Sequence, residues 1–372
     1  MVYFFVCIFI KLVGDYMKVC VYAISKNEEK FVERWYESMK EADEIYVLDT
    51  GSEDNTVKLL KEKGVNVSEE VISPWRFDVA RNKSLDLVPE DTDICVCTDL
   101  DEVFNSGWRK ILEDNYVKGS RVNYTYNWHI NDKGVADVTF LLNNIHPREN
   151  YFWCHPVHEV LTSDKEENVI TLKNIVLDHY PDRTKSRSSY LPLLELSVKE
   201  DPDDDRNMHY LGREYMYYGK WNEAIDTLIK HLSLPKATWR DERCASMRFI
   251  ARCYINLKRY NEVEMWLNKA IEEAPYLRDP YMEMALFKYQ MSSWDEVIDY
   301  CNKALSIKSH AKTYINEPFS WNYTVYDLLS IALYYKKDYQ ESLRNVDIAL
   351  SMNPNDERLL KNKEIIAKEI KI

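Results

Sequence analysis

Glycine is scarce in this chain, and no apolar run is long enough to cross a membrane. Only 8 of the 372 residues are glycine, whereas 27 are tyrosine and 10 are tryptophan, a balance that favours packed helices over loops. The apolar stretch MVYFFVCIFI at the N-terminus is too short for a bilayer span and lacks the basic leader and cleavage site of a signal peptide. Residues 1–16 are interpreted as an apolar extension or the product of an upstream start codon, since Met17 directly precedes the first predicted strand. A weak membrane-surface anchor is the lesser alternative.

An excess of positive charge is also missing. The formal net charge is −13, which argues against a nonspecific nucleic-acid binder, because such proteins need a basic face toward the phosphates. The 8 cysteines are dispersed, and no spacing among them indicates a zinc site or a disulfide framework. Reduced thiols and a cytoplasmic location are therefore expected.

The length and the pattern of the chain predict two domains. Over residues 17–200, short apolar runs such as KVCVYAIS, EIYVLD and ICVC alternate with amphipathic stretches such as EEKFVERWYESMK. Strands separated by helices predict an α/β domain whose central strands are parallel. Longer β-like runs, RVNYTYNWHI, VTFLLN and VITLKNIVLDHY, follow and are expected to make the sheet mixed.

Residues 201–372 carry an internal repeat. Four segments share an aromatic residue, an acid two residues later and an apolar helix, which in three of them ends in alanine. Their anchor aromatics are Trp221, Tyr260, Trp294 and Tyr339. The upstream helix of the first unit has Leu211, Gly212 and Tyr215 in the pattern of a tetratricopeptide repeat, a helical hairpin of about 34 residues. Four stacked hairpins in a solenoid are predicted. Such arrays serve as docking surfaces, contacts of a homo-oligomer or scaffold.

Three acids follow the apolar strand Ile94 to Cys97, namely Asp99, Asp101 and Glu102. Ligands in open α/β sheets bind at the carboxyl ends of the strands, and two carboxylates at i and i+2 can bind one Mg²⁺ or Mn²⁺ ion, which relieves their repulsion. A metal held by so few protein ligands usually completes its shell with water and phosphate, which indicates a nucleotide. The alternative is that these acids cap the following helix in SGWRKILED.

Three further motifs precede these acids, in the order VYAISKNEE, YVLDTGSEDNT and WRFDVARNKSL. Together with the acids they resemble the inverting family-2 glycosyltransferases of the GT-A fold, and especially the bacterial subset that is fused to tetratricopeptide repeats. That subset includes the peptide S-glycosyltransferases of bacteriocin clusters. The resemblance implies an α/β GT-A domain, which is a Rossmann-like mixed sheet, followed by an all-α tetratricopeptide-repeat solenoid. It also implies a nucleotide-sugar donor, and a UDP-sugar is expected.

The resemblance carries over to individual residues. The matching residues are Asn27 and Glu28 after the first strand, Asp49 in the next turn, Arg81 and Asn82 at the start of a helix, and Asp99, Asp101 and Glu102. It implies that Asp101 ligates the metal directly and that Asp99 reaches the metal, the ribose or both. Asp49 would orient the nucleoside, and the backbone from Ala23 to Ser25 would frame the base.

Alternatives stay open for three of these positions. Asp49 is also the residue type that organises an Asx-turn, and Arg81 is equally interpreted as a solvated charge on a helix. Arg76 stands where the family commonly has an acid. Either Asp78 then takes over the polar contact, or Arg76 meets a donor phosphate directly.

Histidines and acids recur downstream of these motifs. HPVHEV contains His158 and Glu159, a pair that recurs at this point in the family, and LDHYP contains His179. An inverting transfer needs a group that removes the proton of the acceptor, for which Glu159 is the first candidate and His158 the second. His179 resembles a third metal or diphosphate ligand and would favour manganese, although a histidine satisfied inside a strand is the alternative.

A basic segment, PDRTKSRSSY, brings Arg183, Lys185 and Arg187 close together in an otherwise acidic chain. It is interpreted either as a loop that closes over a diphosphate or as a solvated linker.

Three functions are compatible with these patterns. The first is a metal-dependent, inverting glycosyltransferase with a peptide, protein or glycan acceptor. The second is a non-catalytic tetratricopeptide adaptor with a degenerate nucleotide-binding domain. The third, nucleotidyl transfer, is less favoured, because the expected glycine-rich basic loop is missing from SKNEEKF.

Overall fold

The computed structural model describes residues 17–131, 134–182, 190–310 and 313–370. The predicted extension 1–16 and the three basic residues of 183–187 lie outside these ranges. Within the described residues, no helix is both long and apolar enough to span a membrane. Each cysteine in the same ranges is a free thiol.

The first region is built on a mixed β-sheet with helices along its faces. Its strands, in chain order, are β1 (Val19–Ser25), β2 (Glu44–Asp49), β3 (Asn66–Glu69), β4 (Ile94–Cys97), β5 (Glu102–Phe104), β6 (Ser120–Ile130), β7 (Ala136–Pro147), β8 (Tyr151–Cys154), β9 (Val160–Ser163) and β10 (Asn168–His179). Its helices are α1 (Glu29–Met39), α2 (Thr56–Glu62), α3 (Phe77–Asp86) and α4 (Trp108–Asn115).

Eight of these strands form one sheet in the order β3-β2-β1-β4-β7-β6-β10-β5. β1 pairs in parallel with β2 and β4, whereas β7 pairs antiparallel with β4 and β6. β8 and β9 form a separate hairpin. The α/β fold class with a mixed sheet is therefore confirmed, and every apolar run predicted as a strand is one.

The sheet has buried cores on both of its faces. On one face, Trp35 and Met39 of α1 pack with Val19 and Val21 of β1 and with Trp108 of α4. Because side chains alternate across a strand, Cys20 and Tyr22 reach the other face, where a second cluster contains Leu85 and Trp153. Burial on both sides explains why β1 and β4 are apolar throughout.

The second region is helical. Its helices are α5 (Tyr190–Glu200), α6 (Asp205–Tyr217), α7 (Trp221–Ser233), α8 (Arg240–Asn256), α9 (Tyr260–Glu273), α10 (Asp279–Gln290), α11 (Trp294–Ser306), α12 (Thr324–Tyr335), α13 (Tyr339–Met352) and α14 (Glu357–Ile370), with a 3-10 turn at Pro318–Ser320. Helices α6 to α13 contact each other in consecutive pairs. Each predicted anchor aromatic is the first residue of the second helix of its pair. The predicted repeat of helical hairpins is therefore confirmed.

A small residue lies nine positions before the anchor aromatic in each hairpin. These residues are Gly212, Ala251, Ala285 and Ser330, and all four are buried. At Gly212 a Cβ atom would lie 2.5 Å from Cγ of Leu228, so that α6 and α7 approach each other more closely than an alanine allows. Glycine at this position thus reflects the distance between two helices rather than a turn.

Helix α5 joins the two regions. Its Leu194 is fully buried in a cluster with Val157 of the first region and with Tyr210 and Leu211 of α6. The backbone N–H of Phe77 donates to the carbonyl oxygen of Pro156 at 2.9 Å, which holds α3 on the same loop. The proposed domain boundary at residue 200 therefore falls at the end of a helix that contacts both regions.

Candidate active site

The parallel strands at the centre of the sheet bring the predicted motifs together at one edge. Ser25 is in register with Asp49, because β1 and β2 end side by side, and β4 ends two residues before Asp99. On the far side of the sheet, β10 ends at His179, which is in register with Glu102 of β5. This edge of the sheet therefore collects carboxylates and an imidazole from three separate parts of the sequence, which are the end of β2, the acids after β4 and the end of β10.

Asp49 organises the turn that follows β2. Its Oδ1 accepts the backbone N–H groups of Gly51 at 3.0 Å and Ser52 at 2.8 Å, and its Oδ2 accepts the hydroxyls of Ser25 at 2.8 Å and Ser52 at 2.5 Å. The side chain is buried, and Gly51 takes a positive φ of 105°. The Asx-turn interpretation thus describes this residue, and its contact with a nucleoside stays a prediction.

The loop after β1 is joined to the same turn. Asn27 accepts the backbone N–H of Glu53 at 2.7 Å, and its own N–H donates to the hydroxyl of Ser52 at 2.8 Å. The N–H of Glu28 donates to the Thr56 hydroxyl at 2.7 Å. Asn27 and Glu28 therefore support the shape of this edge, whereas Ala23 lies buried inside β1.

Asp101 and His179 face each other across the site. The Asp101 carboxylate lies 3.5 Å from His179 Nε2, and His179 Nδ1 donates to the carbonyl oxygen of Trp128 at 3.0 Å. Burial acts to lower the pKa of His179, but the hydrogen bond and the charge of Asp101 outweigh burial and raise it. The bond to the carbonyl oxygen orients the ring so that Nε2 faces the carboxylate, as in histidines that ligate metals.

Arg81 forms ion pairs with two candidate site residues, Asp99 and Glu159. Its Nη2 lies 2.7 Å from Asp99 Oδ1, and its Nε lies 3.0 Å from Glu159 Oε1. Burial opposes the charge of this guanidinium, but Asp99, Cys97 and Glu159 raise its pKa well above the usual range. Only 7% of Arg81 is exposed, so the interpretation as a solvated helix charge is wrong.

Glu102 is turned away from the open edge. Its Oε2 accepts the N–H of Asp99 at 2.9 Å, and its Oε1 accepts the Tyr126 hydroxyl at 2.7 Å. Burial, reinforced by the charge of Asp99, raises the pKa of Glu102 to about 8. This side chain therefore supports the acid loop from beneath. The alternative in which the acids cap the next helix is wrong, because α4 begins at Trp108 behind Gly107.

Glu159 and His158 lie on the loop between β8 and β9. The Glu159 side chain is 13% exposed, and the His158 ring stacks on Tyr210 of α6 at 4.1 Å. His158 also takes a positive φ of 50°. The loop that carries these two residues therefore contacts the helical region.

Two residues that were predicted to contact the nucleotide sugar, Arg76 and Asn82, are bound to other protein groups. Arg76 forms a two-pronged contact with Asp78, at 3.0 and 2.8 Å, and its third nitrogen lies 2.6 Å from Glu200 of α5. Asn82 exchanges hydrogen bonds with the backbone of Trp153 at 2.9 and 2.8 Å. Both side chains connect elements in this structure, and their binding to a donor stays a prediction.

The donor set fits a divalent cation. Asp101 and His179 present an oxygen and a nitrogen to the same space, and the Asp99 side chain remains 45% exposed although one of its oxygens pairs with Arg81. Among the described residues, no third acid, cysteine or histidine brings a ligand atom within 4.8 Å of both Asp101 and His179. An imidazole beside a carboxylate suits Mn²⁺ better than Mg²⁺, since imidazole is a poor ligand for magnesium.

Tyr126 and Trp128 were missed in the sequence analysis. The Trp128 ring stacks on His179, with centroids 4.5 Å apart, and the residue is 48% exposed. Tyr126 donates to Glu102. The signal was available, because Tyr124, Tyr126 and Trp128 alternate along β6 and so share one face.

A broad depression of about 1090 Å³ lies at the opposite edge of the sheet. Its lining includes Met17, Asp93 and Gly119, which precede the amino ends of β1, β4 and β6. It shares no residue with the candidate active site.

Comparisons with known proteins agree with this division of the chain. Residues 20–158 match the family model described as Glycosyl transferase family 2. A search of curated proteins finds no match.

The helical part resembles solved repeat structures. One is MamA, at 19% identity over 48% of this chain and 99% of that chain, with a TM-score of 0.37. Another is TTC0263, a thermophilic TPR protein in Thermus thermophilus, at 17% identity over 50% of this chain and 91% of that chain, with a TM-score of 0.35. TM-scores this low carry no weight, and the hairpins of this chain stand on their own contacts.

The motifs that follow β1, β2 and β4 lie within residues 20–158, the part of the chain that matches the glycosyl transferase family 2 model.

Proposed function

We propose that this chain is a metal-dependent, inverting glycosyltransferase that moves a hexose from a nucleotide sugar, expected to be a UDP-sugar, to a peptide, protein or glycan acceptor. The observation that supports it is the pairing of Asp101 with His179 at 3.5 Å, beside the partly exposed Asp99, at the carboxyl edge of a sheet whose residues 20–158 match the family 2 model. Bound Mn²⁺ or Mg²⁺ would neutralise the charge that builds on the leaving diphosphate.

Each of these residues has a proposed role. Asp101 and His179 hold the cation, and Asp99 holds it through the oxygen that Arg81 does not engage. The turn built by Asp49, together with the backbone from Ala23 to Ser25, shapes the nucleoside side, with Asn27, Glu28, Arg76 and Asn82 around it.

The acceptor side is assigned to the loop between β8 and β9. The acceptor nucleophile attacks the anomeric carbon, the bond from that carbon to the diphosphate oxygen breaks with inversion, and the acceptor proton passes to a base. Glu159 is the first candidate for this base, and His158 is the second. Arg81 fixes the position of Glu159 at 3.0 Å.

The helical region is proposed to hold the acceptor or a second copy of the chain, and a cytoplasmic location is proposed. The stack of His158 on Tyr210 supports a role on the acceptor side, because it joins the first helical hairpin to the loop of the candidate base. A peptide acceptor, as in the peptide S-glycosyltransferases, is compatible with this arrangement.

A non-catalytic adaptor is the second candidate. The observation that favours it is the internal pairing of Asp99 with Arg81 and of Asp49 with Ser25 and Ser52, which satisfies these acids without any ligand. An adaptor of this kind would not bind a nucleotide together with a metal.

The deciding experiment is thermal unfolding of the full chain with a panel of nucleotides and sugar donors, with and without Mn²⁺. UDP with Mn²⁺ is expected to raise the melting temperature, because a ligand that binds only the folded state stabilises it. Asp101→Asn should abolish the shift, whereas Asp114→Asn, an exposed acid on α4, should retain it. If no nucleotide stabilises the wild type, the adaptor is favoured.

A further inference from the structure

A second polar cluster lies inside the helical region, away from the strand ends. Asp205 opens α6, His231 belongs to α7 and Glu242 to α8. One ligand atom from each of these three residues lies within 4.8 Å of the others. His231 is fully buried, Glu242 is 4% exposed and Asp205 is half-buried. Three neighbouring helices thus place an imidazole and two carboxylates around one small space.

The His231 ring is oriented so that one of its nitrogens faces a buried carboxylate. Its Nδ1 lies 3.0 Å from the hydroxyl of Ser246, which leaves Nε2 facing Glu242 Oε1 at 3.3 Å. Among the described residues, this buried Nε2 forms no hydrogen bond of acceptable geometry. A neutral imidazole that donates through Nδ1 would point its lone pair at a carboxylate oxygen. Either a proton or a cation must therefore lie between them.

The surroundings keep the carboxylate of Glu242 in place. Its Oε2 accepts the Tyr314 hydroxyl at 2.7 Å, so that Oε1 is the oxygen directed toward His231. The Ser246 hydroxyl also lies 2.7 Å from Nδ1 of His209, so that it contacts both imidazoles.

We propose that Asp205, His231 and Glu242 bind one divalent cation of the first transition row, with Zn²⁺ as the best match. Imidazole and carboxylate are ordinary zinc ligands, and three protein ligands leave a fourth position for water. Ser246 acts as the positioning residue, because its hydroxyl fixes the ring of His231 through Nδ1. The ion would join α6, α7 and α8 at the hairpin that contacts the first region.

This site is separable from the candidate active site. Asp101→Asn removes a ligand of the proposed catalytic cation and leaves the helical cluster intact. The full-length Asp101→Asn protein is stripped with a chelator, reloaded with Zn²⁺ and passed over gel filtration, and its metal content is measured by mass spectrometry. It should retain one equivalent of Zn²⁺. Co²⁺ in place of Zn²⁺ should give a visible absorption band that reports the ligand geometry.

Substitutions within the cluster identify the ligands. In the Asp101→Asn background, Glu242→Gln should lose the bound equivalent and the Co²⁺ band, while its amide oxygen can still accept from Tyr314. Ser246→Ala should lower the affinity for Zn²⁺ by about 10- to 100-fold. Glu272→Gln, an exposed acid on α9, is the matched control and should retain the ion.

Two outcomes would overturn the site. One is an Asp101→Asn protein that retains no Zn²⁺, and the other is Glu242→Gln and Asp205→Asn proteins that bind as much Zn²⁺ as their parent. The cluster would then be a His–Glu pair that shares a proton. If Glu242→Gln fails to fold by circular dichroism, Asp205→Asn decides the question, because Asp205 is only half-buried.

Discussion

Arg81 is the residue on which the candidate active site depends most. It neutralises Asp99 on the donor side and holds Glu159 on the acceptor side, at 2.7 and 3.0 Å. The motif in the sequence indicates the position of Arg81 but not its environment, because a helical arginine near a motif has the same local pattern whether it is solvated or buried. Burial of a charge depends on which acids the fold brings near it, and those acids lie far away in the sequence.

Replacing Arg81 should therefore destabilise the chain. Arg81→Met leaves Glu159, which is 13% exposed, without its cation, and we expect a loss of about 3 kcal/mol in the free energy of unfolding. This loss is at the lower end of the range for breaking a buried ion pair, because the other partner of Arg81, Asp99, is 45% exposed. Urea unfolding measures the change.

Lys110→Met is the matched control for Arg81→Met. Lys110 pairs with Asp114 on the exposed side of α4, and loss of a solvent-screened pair of this kind should leave the free energy of unfolding nearly unchanged. Equal stabilities for the two variants would contradict the bridging role of Arg81.

Glu159→Gln tests the candidate base. The amide oxygen can still accept from Arg81, so that the loop keeps its shape, but the amide cannot take the acceptor proton. We expect kcat for sugar transfer to fall by about 10²- to 10⁴-fold, with the stabilisation by UDP and Mn²⁺ unchanged.

Glu167→Gln provides the comparison for Glu159→Gln, since Glu167 pairs with Arg121 at 3.0 Å beside the amino ends of β6 and β10. Its kcat should stay close to that of the wild type. Full activity of Glu159→Gln would indicate either that His158 is the base or that the acceptor needs no base, as a thiol would not.

At the scale of secondary structure, periodicity predicted most of the sheet. β1, β2 and β4 were visible as apolar runs, and the anchor aromatics located the second helix of each hairpin. The short β5 and the β8–β9 hairpin were not predicted, because EVF and VLTS are too short to show a period. The order of the strands in the sheet could not be predicted either. β10 lies between β6 and β5, and such pairings between distant segments leave no pattern in the local sequence.

One network of side-chain hydrogen bonds connects three of these strands. Trp153 of β8 donates through Nε1 to the Tyr22 hydroxyl of β1 at 3.0 Å, and that hydroxyl lies 2.9 Å from His146 Nε2 of β7. His146 Nδ1 lies 2.7 Å from the carbonyl oxygen of Pro147. A neutral imidazole satisfies all three contacts, with Nδ1 as donor and Nε2 as acceptor.

His146 should therefore make stability depend on pH. Burial lowers the pKa of His146 to about 3, so between about pH 6.5 and 3 the unfolded chain binds a proton that the folded chain does not. Stability should fall as the pH falls through this window, by at most about 1.4 kcal/mol per pH unit from this residue.

The His146→Gln variant isolates this contribution. Urea unfolding between pH 7.5 and about 5 stays above the range in which ordinary carboxylates titrate. The variant should be less stable than the wild type at pH 7.5, because glutamine cannot reproduce both hydrogen bonds of the imidazole. It should, however, lose less stability on acidification. An identical slope for the two proteins would contradict the neutral, buried imidazole.

For the whole molecule, the two regions share one loop. Residues 155–159 pack against the helical region through three contacts. His155 Nε2 lies 3.2 Å from Asp204 Oδ2, Arg206 donates to the carbonyl oxygen of His158 at 3.2 Å, and the His158 ring stacks on Tyr210. The sequence indicated two domains but not this junction, because the contacting residues lie about 50 positions apart in the sequence. The helical region is therefore expected to affect the chemistry directly, and not only to recruit a partner.

Tyr210→Leu tests this coupling. Leucine fills much of the same space but removes the stack on His158, which is worth roughly 1 kcal/mol. We expect kcat/KM for the acceptor to fall between about 2- and 10-fold, while the affinity for UDP with Mn²⁺ stays unchanged, because the Tyr210 ring stacks on His158, on the proposed acceptor side. Tyr289→Leu, a partly exposed tyrosine of α10, should alter neither quantity. A parallel loss of donor affinity in Tyr210→Leu would show that the helical region supports the whole active site rather than its acceptor side.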